Sequence, residues 1–397
     1  MKILLLTQVL PYPPDSGPKV KTWNVIKYLT RQHELTLVSF ARGDRSAEIE
    51  HLCQYCRAVH TVPIARGVLR DAWYMGRSLL TGQPFITVRD DRAAMRRLVD
   101  RLAASEHFHI AHADQLNMAQ YAARVTGAFK VLDAHNALWV LYRRLWETMG
   151  PGPRKFLLGR DWRLLRAYEG RVCREFDAVM AVSDEDRIAL QEAARQPVDV
   201  TFIPITIDTD EVTVVERNQN ARHILHIGTM YWPPNVDGVL WFIQKVYPLI
   251  RQQRPDVALD IVGSRPPQEL VDLGQEGNGI NVTGYVPDPI AYLKRAFLMI
   301  VPLRAGGGMR VKILNALAQG VPIVSTTLGA EGIGVTAGEN ILLADAPSDF
   351  AAACLRLLDD ADLGWRLAEN GRHLVEQKYD YRSACQPLDD VYDRARK

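Results

Sequence analysis

Between Pro302 and Gly320 the chain reads P-L-R-A-G-G-G-M-R-V-K-I-L-N-A-L-A-Q-G. Gly306, Gly307 and Gly308 let a ligand approach bare backbone. The apolar spacing that follows predicts a helix with Val311, Leu314, Leu317 and Ala318 on its buried side. The first N–H groups of such a helix lack partners within it and attract anions, phosphate above all. Arg310 and Lys312 stand at that start, where the helix dipole disfavours positive charge. A tight turn with two solvated bases explains the glycines. An anion held between backbone and cations explains the glycines and the charges together.

A second candidate is His135, in Leu132-Asp133-Ala134-His135-Asn136, where an apolar run ends. Carboxyl ends of strands in open α/β sheets are where ligands gather, and an imidazole there can exchange a proton or a hydrogen bond with a bound ligand. The plainer alternative is a histidine that only caps a strand. Other motifs carry less. Asp208-Thr209-Asp210 spells a metal-binding D-x-D but falls in a junction between two repeating patterns. Cys53-x-x-Cys56 has no second pair to complete a zinc site. His107, His109 and His112 straddle a strand, so His109 and His112 point apart, and they read as structural.

The elements that position these residues follow from short apolar runs closed by Gly, Pro or Ser/Thr. Candidate strands are Ile3 to Thr7, Glu34 to Phe40, His60 to Ile64, His109 to Ala113, Lys130 to Asp133, Ala178 to Val182 and Val200 to Ile203, with helical patterns between them. The rhythm breaks over Asp199 to Arg222, a polar stretch ending in Asn218-Gln219-Asn220. It resumes at His223 to Ile227, Ala258 to Val262, Ile280 to Thr283, Leu298 to Val301, Pro322 to Ser325 and Asn340 to Leu343. Alternating strands and helices make parallel, doubly wound sheets. The fold class is α/β, with two Rossmann-like domains facing across a cleft: residues 1–204, residues 205–378, and a helical segment 379–397 packing back on the first.

The 397 residues suffice for two such cores, and 47% hydrophobic with 24% charged residues describes a folded globular chain. The net charge of +2 conceals an asymmetry. Up to Pro204 there are 29 Lys+Arg against 22 Asp+Glu; by difference from the totals of 48 and 46, the remainder holds 19 against 24. The basic excess is too diffuse for a nucleic-acid protein. Five scattered cysteines suit a reducing, cytoplasmic setting. The apolar start Ile3 to Leu6 is too short for a signal peptide.

The glycine-rich stretch resembles glycosyltransferase family 4, in the triple-glycine subgroup of bacterial polysaccharide and glycolipid sugar transferases with the pattern G-G-G-T-R-x-K-I-L-E-A-x-A-x-G. Further segments resemble the family in order and spacing: Pro13-Pro14-Asp15-Ser16-Gly17, Asp133-Ala134-His135-Asn136, Ala181-Val182-Ser183, Gly228 to Gly238, Ile261-Val262-Gly263-Ser264 and Val282 to Asp288. The resemblance implies the GT-B fold and a retaining transfer from a nucleotide-diphosphate sugar to a glycan, lipid-linked or small-molecule acceptor. The donor is then held mainly by the second domain, the acceptor by the first, with no essential metal and no further cofactor. It implies catalytic roles for His135, Arg310 and Lys312. It implies donor contacts from Gly17, Gly228, Thr229, Asn235, Gly263, Ser264, Val286, Gly306, Gly307, Gly308, Met309 and Asn315. Gly307 and Asn315 stand where the family often carries E-x7-E. Glycine at the first is usual in the subgroup; asparagine at the second is not, and its neutral amide makes a weaker ribose ligand than a carboxylate.

Two alternatives use the same donor site. A nucleotide-sugar epimerase needs acid/base carboxylates in the first domain, and the sequence offers no convincing pair. A silent nucleotide-sugar binder is motivated by Gly307 and Asn315. Finally, Arg66, Arg70 and Arg77 among Trp73, Tyr74, Leu79 and Leu80, and the Trp139 to Arg174 segment, mix bases with aromatics. They read either as surfaces for anionic lipid at the inner face of the membrane or as core faces with solvated basic edges.

Overall fold

The computed structural model describes residues 1–218, 221–274 and 277–396. Gln219 and Asn220, at the end of the expected junction, lie outside the described residues. The chain forms two compact units, one of Met1–Thr206 with Tyr381–Lys397, the other of Ile207–Asp380.

The first unit is built on seven parallel strands: β1 (Lys2–Thr7), β2 (Glu34–Ala41), β3 (Ala58–Pro63), β4 (Ile110–Asp114), β5 (Phe129–Ala134), β6 (Ala178–Ala181) and β7 (Val200–Phe202). Their order is β3-β2-β1-β4-β5-β6-β7. The order reverses beside β1, so the loops after β1 and β4 diverge there and leave room for ligands. The strands are apolar because both faces are covered. Leu4 and Leu6 enter one core with Met95, Val99 and Trp139, while Ile3 and Leu5 enter the opposite core with Trp23, Ile26 and Leu388.

That second core includes Leu388, Val391 and Tyr392 from beyond the second unit. The helical pattern expected over Tyr379 to Arg396 is broken: short helices span Tyr381–Ala384 and Pro387–Asp393, since Pro387 has no N–H to continue the first. Tyr379 and Asp380 stay with the second unit, where Ile207 N–H donates to the Tyr379 carbonyl at 2.7 Å and Ile207 bridges Asp380.

The second unit carries six parallel strands: β8 (His223–Ile227), β9 (Ala258–Val262), β10 (Ile280–Gly284), β11 (Ala296–Val301), β12 (Ile323–Ser325) and β13 (Leu342–Leu343), in the order β10-β9-β8-β11-β12-β13. Its switch point falls beside β8, which sets the loops after β8 and β11 next to one another. Gly263 shows how tightly strand ends pack here: a Cβ on it lies only 1.6 Å from the Gly228 carbonyl oxygen. No described helix is long and apolar enough to cross a membrane.

Candidate active-site residues in each unit

In the second unit β11 ends at Val301, and the helix Val311–Ala318 begins after the glycine loop with Arg310 as its N-cap. Gly306 and Gly308 adopt φ of 117° and 78°, the region open to glycine, so two of the three glycines are required by the turn itself. Arg310 turns back over this loop, its Nη1 donating to the carbonyls of Gly307, at 2.5 Å, and Gly308. Val311 is only half-buried; the buried face is Ile313, Leu314, Ala316, Leu317 and Ala318, a small rotation from the expected one.

Lys312 reaches under the loop after β8. Its Nζ donates to Asn235 Oδ1 at 3.0 Å, and Asn235 Nδ2 donates to the Thr229 carbonyl at 2.9 Å. Asn235 is placed by the first turn of the helix Pro233–Trp241. A Cβ on Gly228 falls 2.9 Å from Lys312 Nζ and 3.1 Å from both Asn235 Nδ2 and His226 Nε2, so the absent side chain leaves a small polar chamber. Burial, with help from the charge of Arg310, pushes the Lys312 ammonium down to about 7. His226 is fully buried at the end of β8. Its Nδ1–H donates to the Ile300 carbonyl at 3.2 Å, which leaves Nε2 as the bare acceptor toward the chamber. Burial, reinforced by Lys312, holds its pKa well below the usual histidine value, so the ring is neutral. His226 is a site residue the sequence reading missed; its signal is a polar residue near the carboxyl end of an otherwise apolar strand, H-I-L-H-I.

Of the other expected donor contacts, Ser264 joins this group, its carbonyl accepting from Met230 N–H at 3.0 Å. Met309 is buried behind the glycine loop. Asn315, on the second turn of its helix, and Val286, beyond β10, make no hydrogen bond to the cluster among the described residues.

In the first unit His135 follows β5 and is 8% exposed. Its Nε2 lies 3.0 Å from Asp114 Oδ1 and 4.0 Å from Asp133 Oδ2. Nε2–H therefore donates to Asp114, and Nδ1 is a buried acceptor with no partner among the described residues. Asp114 also lies 2.9 Å from the Thr22 hydroxyl. Asp133, fully buried, forms an ion pair with the equally buried Lys21. Burial alone raises a carboxyl pKa, but the Lys21 ammonium, helped by His112 and His135, outweighs it and holds Asp133 well below the usual range. His112 Nε2 lies 3.8 Å from Asp133 Oδ2, and its Nδ1 is 2.5 Å from the Tyr392 hydroxyl.

One expectation changes here and one is filled in. His112 is structural as a member of this polar cluster, because period two puts it on the same face as Asp114. A carboxylate pair also exists, since the β4–β5 register sets Asp114 opposite Asp133. Asp114, Asp133 and His135 place ligand atoms within 4.8 Å of one another, but the Lys21 ammonium already neutralises Asp133 from inside the cluster. Gly17 opens the helix Gly17–Leu29, which carries Lys21 and Thr22 inward.

The basic, aromatic segments differ from one another. In Trp139 to Arg174 Trp139 is buried and Arg163 stacks on Trp146 and Trp162, while Phe156 is exposed. The helix Val68–Thr81 instead leaves Val68, Leu69, Trp73 and Leu80 exposed.

Residues 16–211 match the family model described as Glycosyltransferase Family 4, and residues 221–360 match that described as Glycosyl transferases group 1. An uncharacterized 44.6 kDa protein in the cps region of Klebsiella pneumoniae is 21% identical over 389 residues, 96% of each chain. Among solved structures, sucrose-phosphate synthase from Thermosynechococcus elongatus superposes with a TM-score of 0.73 at 15% identity over 99% of both chains. Anabaena Alr3699/HepE, in complex with UDP and glucose, does so with a TM-score of 0.71 at 16% identity, over 99% of this chain and 100% of that one. These likenesses carry the fold, which is GT-B. With one family model over most of each unit, the chain belongs to the family 4, group 1 glycosyltransferases and is a sugar-transferring enzyme.

Proposed function

We propose that the protein is a retaining glycosyltransferase that takes its sugar from a nucleotide-diphosphate donor bound by the second unit. The observation that carries this reading is the Lys312 chamber: a half-buried lysine whose hydrogen-bond partner, Asn235, is neutral, beside a glycine loop and a helix start. A diphosphate supplies the missing charge. As the glycosidic bond to it breaks, Lys312, Arg310 and the backbone N–H groups stabilise the negative charge that collects on the leaving group. These cations do what a divalent metal does in other transferases, so transfer persists in a chelator. Solved relatives of the same fold include one in complex with UDP and one in complex with UDP-glucose, which supports a nucleotide-sugar donor.

His135 acts on the sugar side. Its Nε2–H is committed to Asp114, and Nδ1 accepts a hydrogen bond from a sugar or acceptor hydroxyl. The acceptor belongs to the first unit, which meets the inner face of an anionic membrane through the helix Val68–Thr81. Asn315 takes the ribose position. The test is calorimetry with UDP, GDP and ADP followed by transfer or donor hydrolysis with the matching sugar nucleotides in EDTA. Failure of every nucleoside diphosphate to bind overturns the donor assignment; binding without turnover favours a silent binder.

A further inference from the structure

Just past His135 the chain turns from β5 into the helix Leu138–Thr148. Nothing in that helix's own sequence caps it, since Ala137 stands at the N-cap. Its first N–H groups are taken instead by two acids from other helices. Ala137 N–H donates to Asp186 Oδ1 at 2.7 Å, Leu138 N–H to Glu169 Oε1 at 2.8 Å and Trp139 N–H to Glu169 Oε2 at 2.9 Å. Glu169 belongs to the helix Pro153–Glu175 and Asp186 to the helix Asp184–Ala194. These two helices are in close contact: a Cβ on Gly170 lies 2.0 Å from the Ala193 carbonyl oxygen. Asp186 is fixed in turn, its Oδ2 accepting from the Ser183 hydroxyl at 2.8 Å.

Glu169 is fully buried and has no ion pair among the described residues. Burial raises its pKa above the usual carboxyl range, with the two N–H groups pulling the other way. A buried carboxyl without a cation is costly, and a serine at position 137 caps a helix start at far smaller cost. What the acids add is a fixed position. They tie three successive amides, two to four residues past His135, to a packed pair of helices. With those N–H groups taken, an anion from solution finds no free donor there, so the arrangement holds the chain and does not bind a ligand. His135 is gripped from two sides, its Nε2–H by Asp114 and its backbone by this elbow, which leaves Nδ1 a single direction.

We propose that Glu169 and Asp186 are positioning residues for His135: they anchor the elbow after β5 and so fix the ring whose Nδ1 faces the reacting hydroxyl. The assignment rests on the reading that His135 serves the transfer.

The experiment is nitrogen NMR of the full chain labelled with isotopic histidine, the His135 signals being those lost in His135→Gln. In the wild type one ring nitrogen is protonated and the other bare, which gives two well-separated resonances. Glu169→Gln turns an amide donor toward one of the two backbone donors, and Asp186→Ala leaves Ala137 N–H without its acceptor. Both variants are expected to bring the two His135 resonances together as tautomers mix. With the sugar nucleotide selected by calorimetry, both are expected to lower kcat roughly tenfold while KM for that donor stays within a factor of about two. Asp186→Asn keeps an acceptor for Ala137 N–H and is expected to recover most of both losses. If Glu169→Gln does not fold, the two Asp186 variants decide alone. Acids that only stabilise the helix lower the unfolding midpoint and leave the His135 resonances of the folded protein unchanged. That result overturns the proposal, as does equal behaviour of Asp186→Asn and Asp186→Ala. Wild-type turnover in His135→Ala strikes instead at the transfer reading, and the resonances still decide whether the two acids hold the ring.

Discussion

Each unit places a lysine beside its switch point, Lys21 fully buried and Lys312 half-buried, and the two are treated in opposite ways. Lys21 meets an ionised carboxylate, Asp133, with His112, His135 and Asp114 around it. Among the described residues Lys312 meets the neutral amide of Asn235 and lies near a neutral histidine. The first arrangement pairs its lysine with a carboxylate and holds a histidine in place. The second lacks a counter-charge. Buried charges are tolerated when paired and costly when alone, so an unpaired amine in a chamber is the signature of a ligand site, and a paired one of a scaffold.

The contrast breaks most visibly at Lys21. Lys21→Met leaves Asp133 buried without its partner and is expected to destabilise the first unit by about 3–5 kcal/mol, read from denaturant unfolding. Lys21→Met/Asp133→Leu is expected to recover most of the loss. If the single variant is as stable as wild type, the pair is not a scaffold.

His135→Ala comes next. Loss of a positioned acid–base group is expected to lower turnover about a hundredfold while UDP affinity stays within a factor of about two, since His135 lies in the other unit. A parallel loss of UDP binding contradicts the division of labour.

Lys312→Met sharpens the other side. The variant is expected to fold at least as stably as wild type, because a desolvated amine is replaced by an apolar chain, yet to bind UDP roughly tenfold or more weakly. The native amine sits at about 7. Binding a diphosphate favours its charged form, so UDP affinity is expected to fall as pH rises through about 7 toward the ordinary lysine range near 10.4. Calorimetry above neutrality, in buffers of different ionisation heat, then registers proton uptake. A pH-flat affinity means that Lys312 does not meet the diphosphate. The smallest effect belongs to Asn315→Glu, which is expected to tighten UDP binding by about 1 kcal/mol through a charged ribose ligand. Abolished binding in that variant removes Asn315 from the ribose site.

The strands were legible because parallel strands buried on both faces must be apolar runs, and Gly or Pro marks their ends. The glycine loop, the helix start with Arg310 and Lys312, and the strand end with His135 were legible as positions because local spacing sets them. Lys21 was not, because its partner Asp133 is 112 residues away and a lysine inside K-V-K-T-W reads as solvated. His112 meets Tyr392 across 280 residues. Only the β4–β5 register reveals that Asp114 and Asp133 lie side by side. His226 illustrates the same limit, since its neutrality depends on Ile300 and Lys312 rather than on neighbours in sequence.

The segment beyond Asp380 threads Leu388, Val391 and Tyr392 into the core that holds Ile3 and Leu5, and Tyr392 closes the cluster at His112. During synthesis the ribosome therefore emits the whole of residues 207–380 between the two parts of the first unit. While the second unit can close as soon as it emerges, the first waits with an open face on its sheet until residues 381–396 arrive. The order of translation is thus the reverse of the order in which the two units are completed, and a nascent chain stalled between them carries a finished second unit and an unfinished first one.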